Sequence, residues 1–223
     1  MNFDRFAHDY THVLDRGVAF SGESSAYFAD YKAQYLARLL PSGFAGKVLE
    51  YGCGVGMLAA AVKRDLPSCE LHGFDVSTES ISKIEPGLAA RGHFTSCLAD
   101  LDCNYSVVIL ANVVHHIAPE NRQAAIRELA ERLDAGGKLV VFEHNPINPL
   151  TRRVVDRCPF DDDAILLRPR ELATYVAGAG LRRVSCEYIV FLPRALSLLR
   201  PLEPLLSWLP LGAQYAMVAQ KHA

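Results

Sequence analysis

The chain has 223 residues, half of them hydrophobic and 22% charged, with a formal net charge of −2 at pH 7. That balance predicts one folded domain with a sizeable core, and it gives no electrostatic reason to expect a nucleic-acid partner. The opening MNFDRFAHDY has no apolar signal core and no stretch approaches ~20 uninterrupted apolar residues, so a cytoplasmic chain without a spanning helix is expected, its six scattered cysteines reduced.

Residues 1–46 read as helical. Phe3, Phe6, Tyr10, Val13 and Leu14 recur at helical spacing, and so do Tyr27, Phe28, Tyr31, Tyr35, Leu36, Leu39 and Leu40, ended by Pro41 and Gly43. Between the two runs, Gly17 to Ser25 is a loop of small and polar residues. Lys47 to Tyr51 then reads as a short buried strand. Gly52, Gly54 and Gly56 alternate with Cys53 and Val55, and an apolar helix runs from Met57 to Leu66. Strand, glycine turn and helix open a nucleotide-binding unit. The spacing is G-x-G-x-G, and Met57 stands where a dinucleotide fold needs its third small residue. Glu50, two residues before the turn, repels a phosphate and attracts a cation, whereas phosphate loops present bare amides. S-adenosylmethionine, with an ammonium and a sulfonium, fits that charge.

At Glu50, Gly52, Gly54 and Gly56 the sequence resembles the class I S-adenosylmethionine-dependent methyltransferases, whose first motif is E/D-x-G-x-G-x-G. The resemblance implies a single doubly wound, Rossmann-like α/β domain. Its seven-stranded, mostly parallel sheet would end in a C-terminal antiparallel hairpin. It divides the chain into a helical cover (1–46), a cofactor-binding core (47–191), an apolar insert (192–212) and a last strand (213–223). In the family the leading region covers the cofactor and part of the acceptor pocket. Tyr10 and Tyr27, which flank the small-residue loop, are therefore substrate-binding candidates, with burial on a helix face as the alternative.

Residues 70–75 read as a second strand ending in Asp75, about 20 residues past the glycine turn, where a carboxylate accepts hydrogen bonds from ribose hydroxyls. The family gives Asp75 the same task and lays Val76 against the adenine. A third strand, 93–98, is followed by Asp100 and Leu101, which by resemblance meet the adenine amino group and ring. Asp102 could take the place of Asp100. Residues 105–111 are strongly β-branched and read as a central fourth strand. Asn112 to Ile117 follow at its carboxyl end, where open α/β sheets bind ligands. They include His115 and His116. Adjacent histidines rarely converge on one ion, and no third ligand is near in sequence, so no metal is expected.

A helix from Pro119 to Leu133, a turn at Asp134–Gly137 and a fifth strand, 138–143, lead to His144 and Asn145 on the same rim. His144, His115 and His116 are the bases available if the acceptor is a hydroxyl, and Asn145 is a substrate-binding candidate. Residues 149–167 read as an irregular lid whose Asp161, Asp162 and Asp163 face solvent. A helix over 168–178 and strands over 182–191 and 214–220 follow.

Between those strands, residues 192–212 carry nine leucines and Trp208 but only Arg194, Arg200 and Glu203 as charges. Prolines break the stretch into two short helices. Its expected place is as a cap on the acceptor pocket. A membrane surface or a partner chain are the other readings. The expected activity is methyl transfer from S-adenosylmethionine to an oxygen or nitrogen of a small-molecule or lipid-linked acceptor. The rivals are a non-catalytic S-adenosylmethionine-binding protein and an NAD(P)-dependent reductase. Glu50, Met57 and the absence of a Tyr-x-x-x-Lys pair oppose the reductase.

Overall fold

The computed structural model describes residues 10–222. Phe3 and Phe6 lie outside the described residues, as does the side chain of Tyr10, which opens helix α1 (Tyr10–Val18). Helix α2 (Ser25–Leu39) follows, burying Ala29, Ala33 and Leu36 on one face.

Alternating strands and helices build the sheet. They are β1 (Lys47–Tyr51), α3 (Met57–Asp65), β2 (Glu70–Phe74), α4 (Thr78–Ser82), α5 (Pro86–Ala89), β3 (Gly92–Thr95), β4 (Tyr105–Ala111), α6 (Pro119–Glu131) and β5 (Leu133–His144). After β5 come α7 (Pro149–Val155), α8 (Pro169–Gly178), β6 (Leu181–Ile189) and β7 (Gln214–Lys221). The order across the sheet is β3-β2-β1-β4-β5-β7-β6. β1 to β5 run parallel, and β7 lies antiparallel between β5 and β6. Seven strands, doubly wound and closed by an antiparallel pair, are the architecture expected from the sequence.

The central strands are apolar on both faces because helices cover both. Val107 to Leu110 of β4 have no exposed surface. One side of the sheet packs Val48, Ile109, Val140 and Phe142 against α2 and α3. The other packs Leu49, Val108, Leu139 and Val141 against α6 and α8.

Two stretches differ from expectation. The turn at Asp134–Gly137 is drawn into β5 as an irregularity. Gly136 takes a φ of +75°, and the β4–β5 register shifts between Tyr105 and Val107. The first seven residues of the expected irregular lid are the helix α7, started by Asn148, whose Oδ1 accepts from the amides of Leu150 and Thr151.

The insert between β6 and β7 forms 3-10 turns over Arg194–Leu206, kinked at Leu196. It is not the expected cap: none of residues 192–212 lines the cavity that holds Glu50, and Trp208 is 73% exposed. Polar groups hold it instead of apolar packing. Glu203, buried, accepts from the amides of Phe191 and Leu192 at 3.1 and 2.8 Å. The Arg200 guanidinium pairs with Glu23 at 2.7 Å and lies 4.3 Å from the centre of the Tyr27 ring. With the backbone pinned by these groups, six of the nine leucines are left facing outward.

Candidate active site

The site forms at the carboxyl ends of β1, β2, β4 and β5. After β1 the backbone reverses through Gly52, Gly54 and Gly56, with φ of +83°, +52° and +81°. A side chain at Gly52 would also place its Cβ 2.4 Å from the Val113 side chain, so glycine is required there by both conformation and space. The Phe74 carbonyl accepts from the amides of Gly52 and Cys53 at 2.7 and 2.9 Å. The Gly54 amide donates to Asp75 Oδ2 at 2.7 Å, and Asp75 Oδ1 accepts from Ser77 N at 2.9 Å. Asp75 therefore fixes the glycine turn itself, a task the sequence did not announce, while staying partly exposed beside it.

Glu50 points from β1 into a cavity of about 190 Å³ and is 3% exposed. Its Oε2 is buried without a hydrogen-bond partner. Burial, and then the charge of Asp75, push its pKa up to about 8. Lys32 of α2 lines the same cavity. Burial pulls its ammonium down to about 8, against Glu143 and Glu50, which favour the charge. An unpartnered buried carboxylate is costly until a cation or donor reaches it. Glu50 thus fits a ligand with positive charge at the glycine turn, which is what S-adenosylmethionine offers.

The positions assigned to the adenine are mixed. Val76 is 66% exposed, an open apolar surface next to Asp75. Asp100 is exposed and accepts from Thr95 Oγ1 at 3.0 Å. The Leu101 side chain is buried, and its amide donates to the Leu98 carbonyl at 3.3 Å. The amide expected at the ring is thus engaged in its own turn.

The three histidines part company. His144 lines the cavity, and His115 and His116 do not. His115 is buried. Its Nδ1 lies 2.5 Å from Glu143 Oε2 and its Nε2 lies 3.3 Å from Asp161 Oδ1. Burial opposes its charge, but the two carboxylates outweigh burial and raise its pKa to about 10. A sequestered imidazolium cannot take a proton, which corrects the expectation for His115. His116 lies 3.4 Å from Asp161 and 3.2 Å from Asp163, away from the cavity wall, so it too is misplaced as a base. Burial, then the charge of His115, hold His144 down at about 4. It is neutral at pH 7 and, held that low, a weak base.

Asp161 corrects a second expectation. Its side chain is only 10% exposed, lines the cavity and bridges both neighbouring histidines. His115, His144 and Asp161 bring donor atoms within 4.8 Å of one another. The sequence argument that no third ligand is near does not survive the fold. The proton on His115 offsets one of the two negative charges that Glu143 and Asp161 bring there.

Two substrate-binding candidates turn out to have other tasks. Asn145 is fully buried. Its Nδ2 donates to the carbonyls of Pro210 and Gly212, and its Oδ1 accepts from Ile147 N, so it clasps the end of the insert. Tyr27 does not line the cavity and packs under Arg200. Phe28, Met57, Asn112, Thr151 and Gln214 form the walls instead. Asn112 holds a φ of +59° at the end of β4, a conformation asparagine tolerates. Lys32 carried a faint signal: it falls on the face of α2 shared by Phe28 and Leu36, where a solvated lysine does not belong.

Residues 49–139 match the family model described as a methyltransferase domain. The chain is 30% identical over 160 residues to the ubiquinone/menaquinone biosynthesis C-methyltransferase of Syntrophotalea carbinolica, covering 66% of this chain and 62% of that one. It is 26% identical over 139 residues to the ribosomal RNA small subunit methyltransferase C of Vibrio vulnificus, covering 58% and 41%. The chain thus spans less than two thirds of the length of either relative. In fold it is similar to a SAM-dependent methyltransferase from Archaeoglobus fulgidus, with a TM-score of 0.69, 17% identity, and 89% and 95% of the two chains covered.

Proposed function

For this chain, which belongs to the class I S-adenosylmethionine-dependent methyltransferase family, we propose methyl transfer from S-adenosylmethionine to an oxygen or nitrogen of a small-molecule or lipid-linked acceptor. The observation that carries the reading is Glu50, a buried carboxylate with an unpartnered oxygen beside three left-handed glycines. S-adenosylmethionine supplies an electrophilic methyl group on a sulfonium.

The residues of the chain do the rest. Glu50 holds the ammonium end, Gly52 to Gly56 let the backbone approach, and Asp75 offers its remaining lone pairs to the ribose. Val76, Asp100 and Leu101 border the adenine. Lys32, Phe28 and Met57 wall the cavity and exclude water, which strengthens each electrostatic contact within it. Holding acceptor and methyl in line lowers the barrier by several kcal/mol, about 7 or more for a well-aligned pair. His144 takes the acceptor proton. The names of the two relatives above point one to a quinone pathway and the other to RNA, and with a net charge of −2 we favour an acceptor other than nucleic acid.

Glu50→Ala and Asp75→Ala are each expected to weaken S-adenosylmethionine binding by about 1.5–3 kcal/mol, roughly 10–150-fold, since each removes a charged acceptor. Calorimetry on variants with unchanged circular dichroism reads this directly, and native affinity in both would remove the cofactor assignment.

The insert supports the lipid-linked form of the acceptor. Leu198, Leu205 and Trp208 are 94%, 71% and 73% exposed, and no helix of the described residues is long and apolar enough to cross a membrane. We place the bilayer surface against these side chains. Native protein should co-sediment with phospholipid vesicles. Leu198→Ser/Leu205→Ser/Trp208→Ser should stay soluble in their presence with S-adenosylmethionine affinity intact. Equal sedimentation of both proteins would remove the membrane from the account.

A further inference from the structure

A second cavity, of about 610 Å³, opens between α1 and α7 and shares Gly17, Val154 and Cys158 with the first. Arg16, Arg153 and Arg157 line it, and among the described residues no carboxylate does. None of these three guanidinium groups makes an ion pair or a side-chain hydrogen bond among the described residues. Four other arginines pair with carboxylates: Arg64 with Asp30 and Asp65, Arg122 with Glu171, Arg132 with Glu128, and Arg200 with Glu23. Three like charges around one space repel each other, and an anion there relieves the repulsion. The planar guanidinium fork matches a carboxylate or a phosphate oxygen pair.

The rim of this cavity is apolar. Leu150 lines it and is 60% exposed. Ile147 and Leu211, 48% and 61% exposed, flank Asn148, whose Nδ2 ties the two segments by donating to the Leu211 carbonyl at 2.6 Å. A ligand satisfying both features has an anionic head and an apolar body. The shared walls set such a ligand against the cavity that holds Glu50 and His144.

We infer that the second cavity is a subsite for the anionic head, a phosphate or a carboxylate, of an amphiphilic acceptor. This rests on the methyltransferase reading only for the word acceptor; the anion site stands on the arginines. The head can come from a bilayer lipid or from a free amphiphile, and the chemistry at the arginines is the same.

The test uses the full chain with octyl phosphate and octanol as probes, read by calorimetry, and Arg153→Gln/Arg157→Gln as the variant. Octyl phosphate should bind native protein about tenfold or more tightly than octanol, because charge-assisted hydrogen bonds are added. The variant should lose that preference while keeping native S-adenosylmethionine affinity, which shows that it is folded. Glu50→Ala should show the reverse, losing the cofactor and keeping the preference, so failure of the cofactor reading and failure of the anion site are separate results. Displacement of octyl phosphate by phosphatidylglycerol vesicles but not by phosphatidylcholine vesicles would identify the source as a bilayer headgroup, and no displacement by either would identify a free amphiphile. Equal binding of the two probes to native protein, or a preference that survives in the variant, would overturn the inference.

Discussion

His144→Ala is expected to lower turnover by about 10²–10⁴-fold, the loss associated with a general base, and to leave S-adenosylmethionine affinity nearly unchanged. Among the described residues His144 is the histidine on the cavity wall, at the end of β5, opposite the helix that carries Lys32 and Phe28. Its pKa, held near 4 by burial and by the charge of His115, keeps the ring neutral at pH 7. A base works only when unprotonated, so the acid limb of the rate profile should fall toward pH 4 and not near the usual 6.5 of histidine. His144→Gln keeps a hydrogen-bonding group without a basic nitrogen and should be as slow as the alanine variant. Full activity in both, on the true acceptor, would mean that alignment alone drives the reaction.

The second large effect is structural. Glu143→Ala is expected to destabilise the fold by about 3–5 kcal/mol, because it leaves a buried imidazolium without its main partner. Glu143 is fully buried. Its Oε1 accepts from the amides of Val113 and Val114 at 3.1 and 2.7 Å, and its Oε2 faces His115. The carboxylate thus fixes the whole turn after β4. Glu143→Gln, which can still accept from those amides, should recover part of the loss. The pH dependence has a definite sign. The folded pKa of His115, about 10, lies above its ordinary 6.5. Its contribution is fully present below about pH 6.5 and is lost as the pH rises through about 10. Thermal denaturation should show native protein weakening across that window and Glu143→Ala losing little more there.

The sequence displayed what local chemistry dictates. The strand and glycine turn at 47–56 carry their own conformational requirement, and β4 falls at the expected residues because β-branched runs have few alternatives. What long-range packing decides was hidden. Asp161 sits in a run of three aspartates that reads as solvated loop. Only the approach of α7 and the turn after it to the end of β4 buries it against His115. Asn145 and His144 are neighbours on one rim, yet alternation along the end of β5 sends one to the insert and the other to the cavity. The insert showed its composition but not its direction: Glu203 and Asn145 hold its backbone, and that leaves six of the nine leucines nowhere to go but outward.

The central claim is that Glu50 waits for a cationic adenosyl ligand. Calorimetric titration of the full chain with S-adenosylmethionine and with NADH, near pH 7 in buffers of different ionisation enthalpy, tests it most directly. Glu50 carries a proton at pH 7 because its pKa is raised to about 8, and a bound ammonium favours its carboxylate. The account predicts that S-adenosylmethionine binds with release of a proton to the buffer, that Glu50→Gln binds more weakly without that release, and that NADH gives no heat. Binding of NADH in place of S-adenosylmethionine, or S-adenosylmethionine binding with the same proton release in Glu50→Gln, would contradict it.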